Sequence, residues 1–138
     1  RTMPWEDLQK LAKAADGVGA RLHMDGARLW EVQPFYGKSL QEICALFHSV
    51  YVSFYKGLGG MSGAMLCGTS PFASNSRDWR VRLGGSMRTL APHWLDAERQ
   101  LQLRVKDPTE MTFDACFKKL QEVVRALSED SLVQQIIR

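Results

Sequence analysis

Cysteine is scarce in this chain of 138 residues, and the few present do not pair. Cys44, Cys67 and Cys116 are odd in number, far apart and without a CxxC spacing, which speaks against a zinc framework or a disulfide scaffold. The setting this predicts is reducing and cytoplasmic. No run approaches the ~18 apolar residues of a bilayer crossing, and no signal-peptide pattern opens the chain. Charge of one sign is weak: a net +3 is too little to imply a nucleic-acid partner. Repeats and low-complexity segments are missing. Nucleotide motifs are missing as well. Lys56 precedes its glycines, whereas GxxxxGK[ST] places the lysine after them, and residues 57–63 do not spell GxGxxG because position 62 is serine.

What remains is the composition of a globular domain, 45% hydrophobic and 24% charged, long enough to bury a core. The first residue is Arg1 rather than methionine, and it leads straight into a helix-like segment. The expectation is a piece of a longer protein.

Pro4 before Trp5, Glu6 and Asp7 reads as a helix opening, with Leu8, Leu11, Ala12 and Ala15 on one face and Gly17 and Gly19 as the stop. Residues 20–25 alternate, Ala20, Leu22 and Met24 against Arg21, His23 and Asp25, which predicts a strand. A loop is expected around Pro34 and Gly37. Ser39 then caps a helix carrying Leu40, Ile43, Cys44 and Phe47. The apolar run 49–55 reads as a strand buried on both faces, and 64–67 as another. Beyond Ser70 the pattern turns helical, over about 71–83, 87–104 and 112–127, with breaks at Gly84-Gly85 and Asp107-Pro108. Helix, strand, helix, strand is the order of an α/β unit, here expected to be mostly parallel.

Two polar groups end the first two strands: Asp25, followed by Gly26-Ala27-Arg28, and Lys56, followed by Gly57-Leu58-Gly59-Gly60. Enough chain separates them for a crossover helix, so both should fall at the carboxyl edge of a parallel pair, where open α/β sheets bind ligands. An acid and a lysine so placed are the minimal set for holding pyridoxal 5'-phosphate (PLP). The lysine can form a Schiff base with its aldehyde, and the acid can pair with its pyridinium nitrogen. Each residue also has a plainer reading. Lys56 could be an exposed loop lysine, Asp25 a turn or cap residue, and Arg28 a surface charge rather than a two-pronged carboxylate grip. His23 reads as a packed or supporting histidine, while His48 and His93 carry no supporting context. Arg77, Arg80, Arg82 and Arg88 form a basic stretch that suits either a solvated helix face or an anion site.

Leu22-His23-Met24-Asp25-Gly26-Ala27-Arg28-Leu29, then Ser53-Phe54-Tyr55-Lys56-Gly57-Leu58-Gly59-Gly60 with Gly63, then Leu83-Gly84-Gly85-Ser86-Met87-Arg88, together resemble the low-specificity L-threonine aldolases. These are β-eliminating lyases of PLP fold type I, and the similarity runs from about residue 8 to residue 100. The resemblance implies residues 1–86 as part of the PLP-binding α/β large domain. Residues 87–138 would be a helical connection and the start of the small domain. It implies Lys56 as the Schiff-base lysine, Asp25 as the partner of the ring nitrogen and Ala27 against the ring. Arg28 would bind the substrate carboxylate, and Arg88 would reach the phosphate, in a neighbouring subunit of a homodimer or homotetramer.

Departures from the family pattern are Tyr55 in place of a small hydroxyl residue, Met61-Ser62 in place of an Ala/Pro-containing turn, and Val81 in place of a basic residue, flanked by Arg80 and Arg82. The family's phosphate loop and ring-stacking histidine lie upstream of the aligned part, and a second carboxylate-binding arginine lies downstream. The implied activity is cleavage of a β-hydroxy amino acid such as L-threonine to glycine and an aldehyde, with this chain alone inactive. The alternatives are another fold-type-I reaction, β-elimination or transamination, or a truncated non-catalytic homologue.

Overall fold

Pro4 opens the first helix, α1 (Trp5–Gly17), and Glu6 and Asp7 lie in its first turn, where acids favour the helix dipole. The computed structural model describes residues 2–106 and 112–130. Helix α1 ends at Gly17, and Gly19 takes a left-handed φ of 68° that turns the chain toward the sheet. Strand β1 (His23–Gly26) is followed by helices α2 (Leu29–Tyr36) and α3 (Leu40–Cys44), and then by strand β2 (Ser49–Ser53). Strand β3 (Ala64–Gly68) leads into α4 (Ser70–Arg82) and α5 (Ala91–Leu101), which runs on as a π-helical turn over Gln102–Lys106. Helix α6 (Phe113–Glu129) completes the described order.

The sheet order is β1-β2-β3. Strands β1 and β2 pair in parallel, with Asp25 opposite Tyr51, as the crossover length implies. Strand β3 corrects the expectation of a mostly parallel sheet, because it pairs antiparallel with β2, Ser53 opposite Ala64. The reason lies in the connection. Residues 54–63 are fewer than the dozen or so that a parallel crossover takes, so the chain can only double back. The sheet is small and mixed.

The helices also refine the sequence reading. Where the sequence predicts a loop around Pro34, the chain forms α2 with Pro34 inside it. Proline there forfeits one backbone bond near the helix end, and burial of Leu29 and Trp30 offsets the cost. Gly37, at φ 59°, then stops the helix. Helix α3 carries a full capping box: the Ser39 hydroxyl accepts from the Glu42 amide, and the Glu42 carboxylate accepts from the Ser39 amide. This contact holds the Glu42 carboxyl below its ordinary pKa. Helix α5 starts at Ala91, later than the expected 87, with Pro92 in its first turn. Thr112 caps α6 by accepting from the Ala115 amide at 3.2 Å. The expected break at Asp107-Pro108 and the last eight positions lie outside the described residues.

Strand alternation sorts the sheet into two faces. His23, Asp25, Ser49, Tyr51 and Ser53 share one face by register, while Met24, Val50, Val52 and Cys67 share the other. The second face is the packed one. Val50 and Val52 join Trp30, Ile43, Leu58 and Phe113 in the main buried cluster. Phe113 belongs to α6, which lies along α2 with Phe117 edge-on to Phe35, ring centres 6.4 Å apart. Ile43 is completely buried. Ile43→Ala is therefore expected to lower unfolding free energy by about 2–5 kcal/mol in a urea titration. Val18→Ala, at an 81% exposed side chain, should stay within about 0.5 kcal/mol. Equal losses at the two positions would contradict this placement of the core.

Candidate active site

Strand β1 delivers Asp25 one residue before its end, on the face away from the main core. The Asp25 Oδ1 accepts from the Ala27 amide at 3.1 Å, an Asx-type turn that sets the carboxylate and leaves Oδ2 for another donor. Asp25 is exposed and Ala27 is buried. Gly26 between them is required by space, since a Cβ there would come within 2.6 Å of the Tyr51 carbonyl oxygen across the strand pair. On the same face Tyr51 is opposite Asp25. Its phenol is held above its ordinary pKa, first by the hydrogen bond with the Tyr55 hydroxyl at 3.4 Å, then by burial, by Tyr55's charge and by the charge of Asp25. His23 lies one turn of the pleat away, its Nδ1 sharing a hydrogen bond with the Ser49 hydroxyl at 2.8 Å.

Lys56 follows β2 after Ser53-Phe54-Tyr55, so strand β2 is shorter than the predicted 49–55 run and Lys56 belongs to the turn beyond it. The Lys56 amide donates to the Ser53 hydroxyl at 3.2 Å, which ties the turn to the buried strand end. Its side chain is exposed, and its ammonium has no hydrogen bond or ion pair among the described residues. Strands β1 and β2 are adjacent and parallel, about 5 Å apart, so Asp25 and the turn that carries Lys56 leave the sheet at the same edge. No hydrogen bond or ion pair among the described residues joins the two side chains.

The glycines after Lys56 have a steric cause. A Cβ on Gly57 would run into the Glu31 carboxylate, and one on Gly60 would meet the Phe54 carbonyl at 2.8 Å. Gly59 and Gly63 take φ values of 86° and 96°, a region glycine enters freely. Leu58, 1% exposed, is the anchor that sinks this turn into the core.

Glu31 does not stand out in the sequence, yet it pairs with Arg28 and packs against the turn that carries Lys56. Its Oε1 accepts from the Arg28 Nη1 at 2.8 Å, and its carboxylate packs against Gly57 beside Lys56. The other oxygen, Oε2, is buried without a partner among the described residues. Only the Arg-x-x-Glu spacing on a helix start hints at the pair. Arg28 keeps most of its guanidinium donors, with its side chain 69% exposed.

Arg88 is also exposed, in the stretch between α4 and α5, and no hydrogen bond or ion pair among the described residues joins it to Asp25 or Lys56. Arg80 lays its side-chain stem against Gly85, and Arg82 covers the Trp79 ring at 5.3 Å. Helix α4 buries no residue, so the basic stretch forms an exposed face here. A cavity of about 330 Å³ includes Asp25 and Arg28 in its lining, while a larger one of about 580 Å³ opens at the opposite strand ends, by His48 and Cys44.

The sequence pattern of the family described as Beta-eliminating lyase matches residues 1–135. The chain belongs to that family. It is a family of PLP-dependent lyases and threonine aldolases. A low-specificity L-threonine aldolase of Candida albicans is 34% identical over 86 residues, which is 62% of this chain and 23% of that protein. An alanine racemase, TOXG, of Cochliobolus carbonum is 36% identical over 86 residues, 62% of this chain and 22% of the racemase.

Among solved structures, one from Listeria monocytogenes EGD-E, assigned as an L-allo-threonine aldolase, superposes with a TM-score of 0.84 at 40% identity. It covers 95% of this chain and 35% of its own. The chain spans about a quarter of the curated relatives' length. No helix among the described residues is long and apolar enough to cross a membrane.

The Gly57–Glu31 contact yields a test. Gly57→Ala is expected to cost about 1–3 kcal/mol by forcing Glu31 or the turn aside. Adding Glu31→Ala should recover most of that cost, because the group in the way is gone. Thermal or urea unfolding of the two single variants and the double variant measures it. An additive double variant would refute the contact.

Proposed function

We propose that the full-length protein is a PLP-dependent aldehyde-lyase that cleaves a β-hydroxy amino acid such as L-threonine to glycine and an aldehyde. The observation that carries this reading is the shared edge: Asp25 near the end of β1 and Lys56 in the turn just beyond the adjacent parallel β2. The one has its Oδ1 on the Ala27 amide, and the other has no hydrogen bond or ion pair on its amine among the described residues. The donor set fits the cofactor. When bound, PLP supplies an electron sink for the pair released as the Cα–Cβ bond breaks.

The residues of this chain have separable tasks in that reading. Lys56 would provide the amine that holds the cofactor through its aldehyde carbon. Asp25, its Oδ1 already engaged by the Ala27 amide, keeps a proton on the ring nitrogen through its charge. Ala27 would supply a small side chain at the ring. Arg28 grips the substrate carboxylate, with the Glu31 contact orienting the guanidinium through Nη1 while its other nitrogens stay available. Arg88 would bind the cofactor phosphate in a neighbouring subunit of a homodimer or homotetramer.

The racemase relative favours a second reading, in which the same residues serve a different outcome at Cα. Product analysis separates the two: glycine with acetaldehyde from threonine supports the lyase, and D-alanine from L-alanine supports the racemase. Borohydride reduction of the full-length protein with PLP, followed by peptide mapping, should place a pyridoxyl group on Lys56. Lys56→Ala should then lower turnover by roughly a thousandfold. An unmodified Lys56 would overturn the assignment.

A further inference from the structure

The turn that carries Lys56 is fastened at its base and at its centre, but one limb depends on a separate helix. At the base, the Phe54 amide donates to the Gly63 carbonyl at 3.0 Å, and the Gly60 amide donates to the Phe54 carbonyl at 2.7 Å. At the centre, Leu58 is sunk in the core. The limb from Gly59 to Ser62 has two glycines and no buried side-chain anchor. Two hydrogen bonds from α5 hold it instead. The Met61 amide donates to the Asp96 Oδ2 at 2.6 Å, and the Ser62 hydroxyl shares a hydrogen bond with the His93 Nδ1 at 2.7 Å.

His93 and Asp96 are three apart on α5, so both lie on one helix face and reach the limb together. The limb in turn touches Lys56, since the Gly59 amide donates to the Lys56 carbonyl at 2.9 Å.

We infer that Ser62, His93 and Asp96 form a latch that positions the Lys56 turn, making them positioning residues for cofactor attachment. The latch ties the lysine to the helix that begins just after the Arg88 segment, so one helix is joined to both the turn and the approach to Arg88. Attachment of an aldehyde to an amine is sensitive to small displacements of the amine, and a turn rich in glycine is easily displaced. This inference rests on the reading of Lys56 as the cofactor lysine.

The test uses the full-length protein and five variants: Ser62→Ala, His93→Leu, the double variant, His93→Asn and Asp96→Ala. Asparagine can place a polar atom close to the position of the lost Nδ1. Visible-absorbance titration with PLP gives half-saturation, and hydrogen exchange of the peptide 57–63 reports the latch without the cofactor. Ser62→Ala and His93→Leu should each raise half-saturation about five- to tenfold and speed exchange at Met61. The double variant should match the single ones, and His93→Asn should return to within about twofold of the wild type.

Unchanged half-saturation in both Ser62→Ala and His93→Leu would overturn the inference, as would a loss that His93→Asn does not restore. Should His93→Leu fail to fold, Ser62→Ala and Asp96→Ala decide by the same two readouts. A wild type with no adduct on Lys56 would bring down the functional reading. Exchange alone would then decide the latch, faster exchange in the variants supporting it and equal exchange overturning it.

Discussion

The parallel pairing of β1 with β2 is the constraint on which the rest depends. It puts Asp25 opposite Tyr51 and sends both strands toward one edge, so Asp25 and the turn that carries Lys56 leave the sheet on the same side. The pairing is kept by the covered face, where Val50 and Val52 pack on Trp30 and Ile43 from the two crossover helices. A slip of one residue would turn Asp25 into that apolar layer and Met24 out of it. Burying an unpaired carboxylate costs far more than any one apolar neighbour could offset, so the register is strongly selected.

The other face has a different character. His23, Asp25, Ser49 and Tyr51 line up there by register and satisfy one another only in part, through the His23–Ser49 and Tyr51–Tyr55 hydrogen bonds. Packing makes one side of the sheet stable and leaves chemistry to the other. The turn after β2 joins the two tasks. Leu58 belongs to the core, while Lys56, two residues earlier, stands in solvent. Glycines on either side let the backbone make that change of allegiance within a few residues, against the Glu31 carboxylate and the Phe54 carbonyl.

Much of this is legible in the sequence because it rests on local rules. The Ser39 cap, the stop at Gly17 and the strand alternation around Met24 and Asp25 depend on residues a few positions apart. The glycine pattern after Lys56 and the acid-Gly-Ala-Arg turn are legible for the same reason, and their order carries the family resemblance. Two of the expectations that fail do so for causes that the sequence also contains. Pro34 reads as a helix breaker only until the burial of Leu29 and Trp30, which outweighs it, is known. The connection over 54–63 is long enough to look like a linker but too short for a crossover, which is why β3 runs antiparallel.

By itself the sequence determined where the strands lie to within a few residues, which face of β1 is apolar, and which short motifs carry a lysine, an acid and two arginines. Those follow from side-chain size, polarity and backbone preference over short spans. Only the tertiary structure decided what meets across long spans: Glu31 against Gly57, Ser62 on His93, the Met61 amide on Asp96. Ser62 and His93 are 31 positions apart, on a turn and a helix whose approach is set by sheet packing and not by either segment's own preferences. No local pattern encodes that distance, because a hydrogen bond between two small polar groups leaves no periodicity in the chain that makes it.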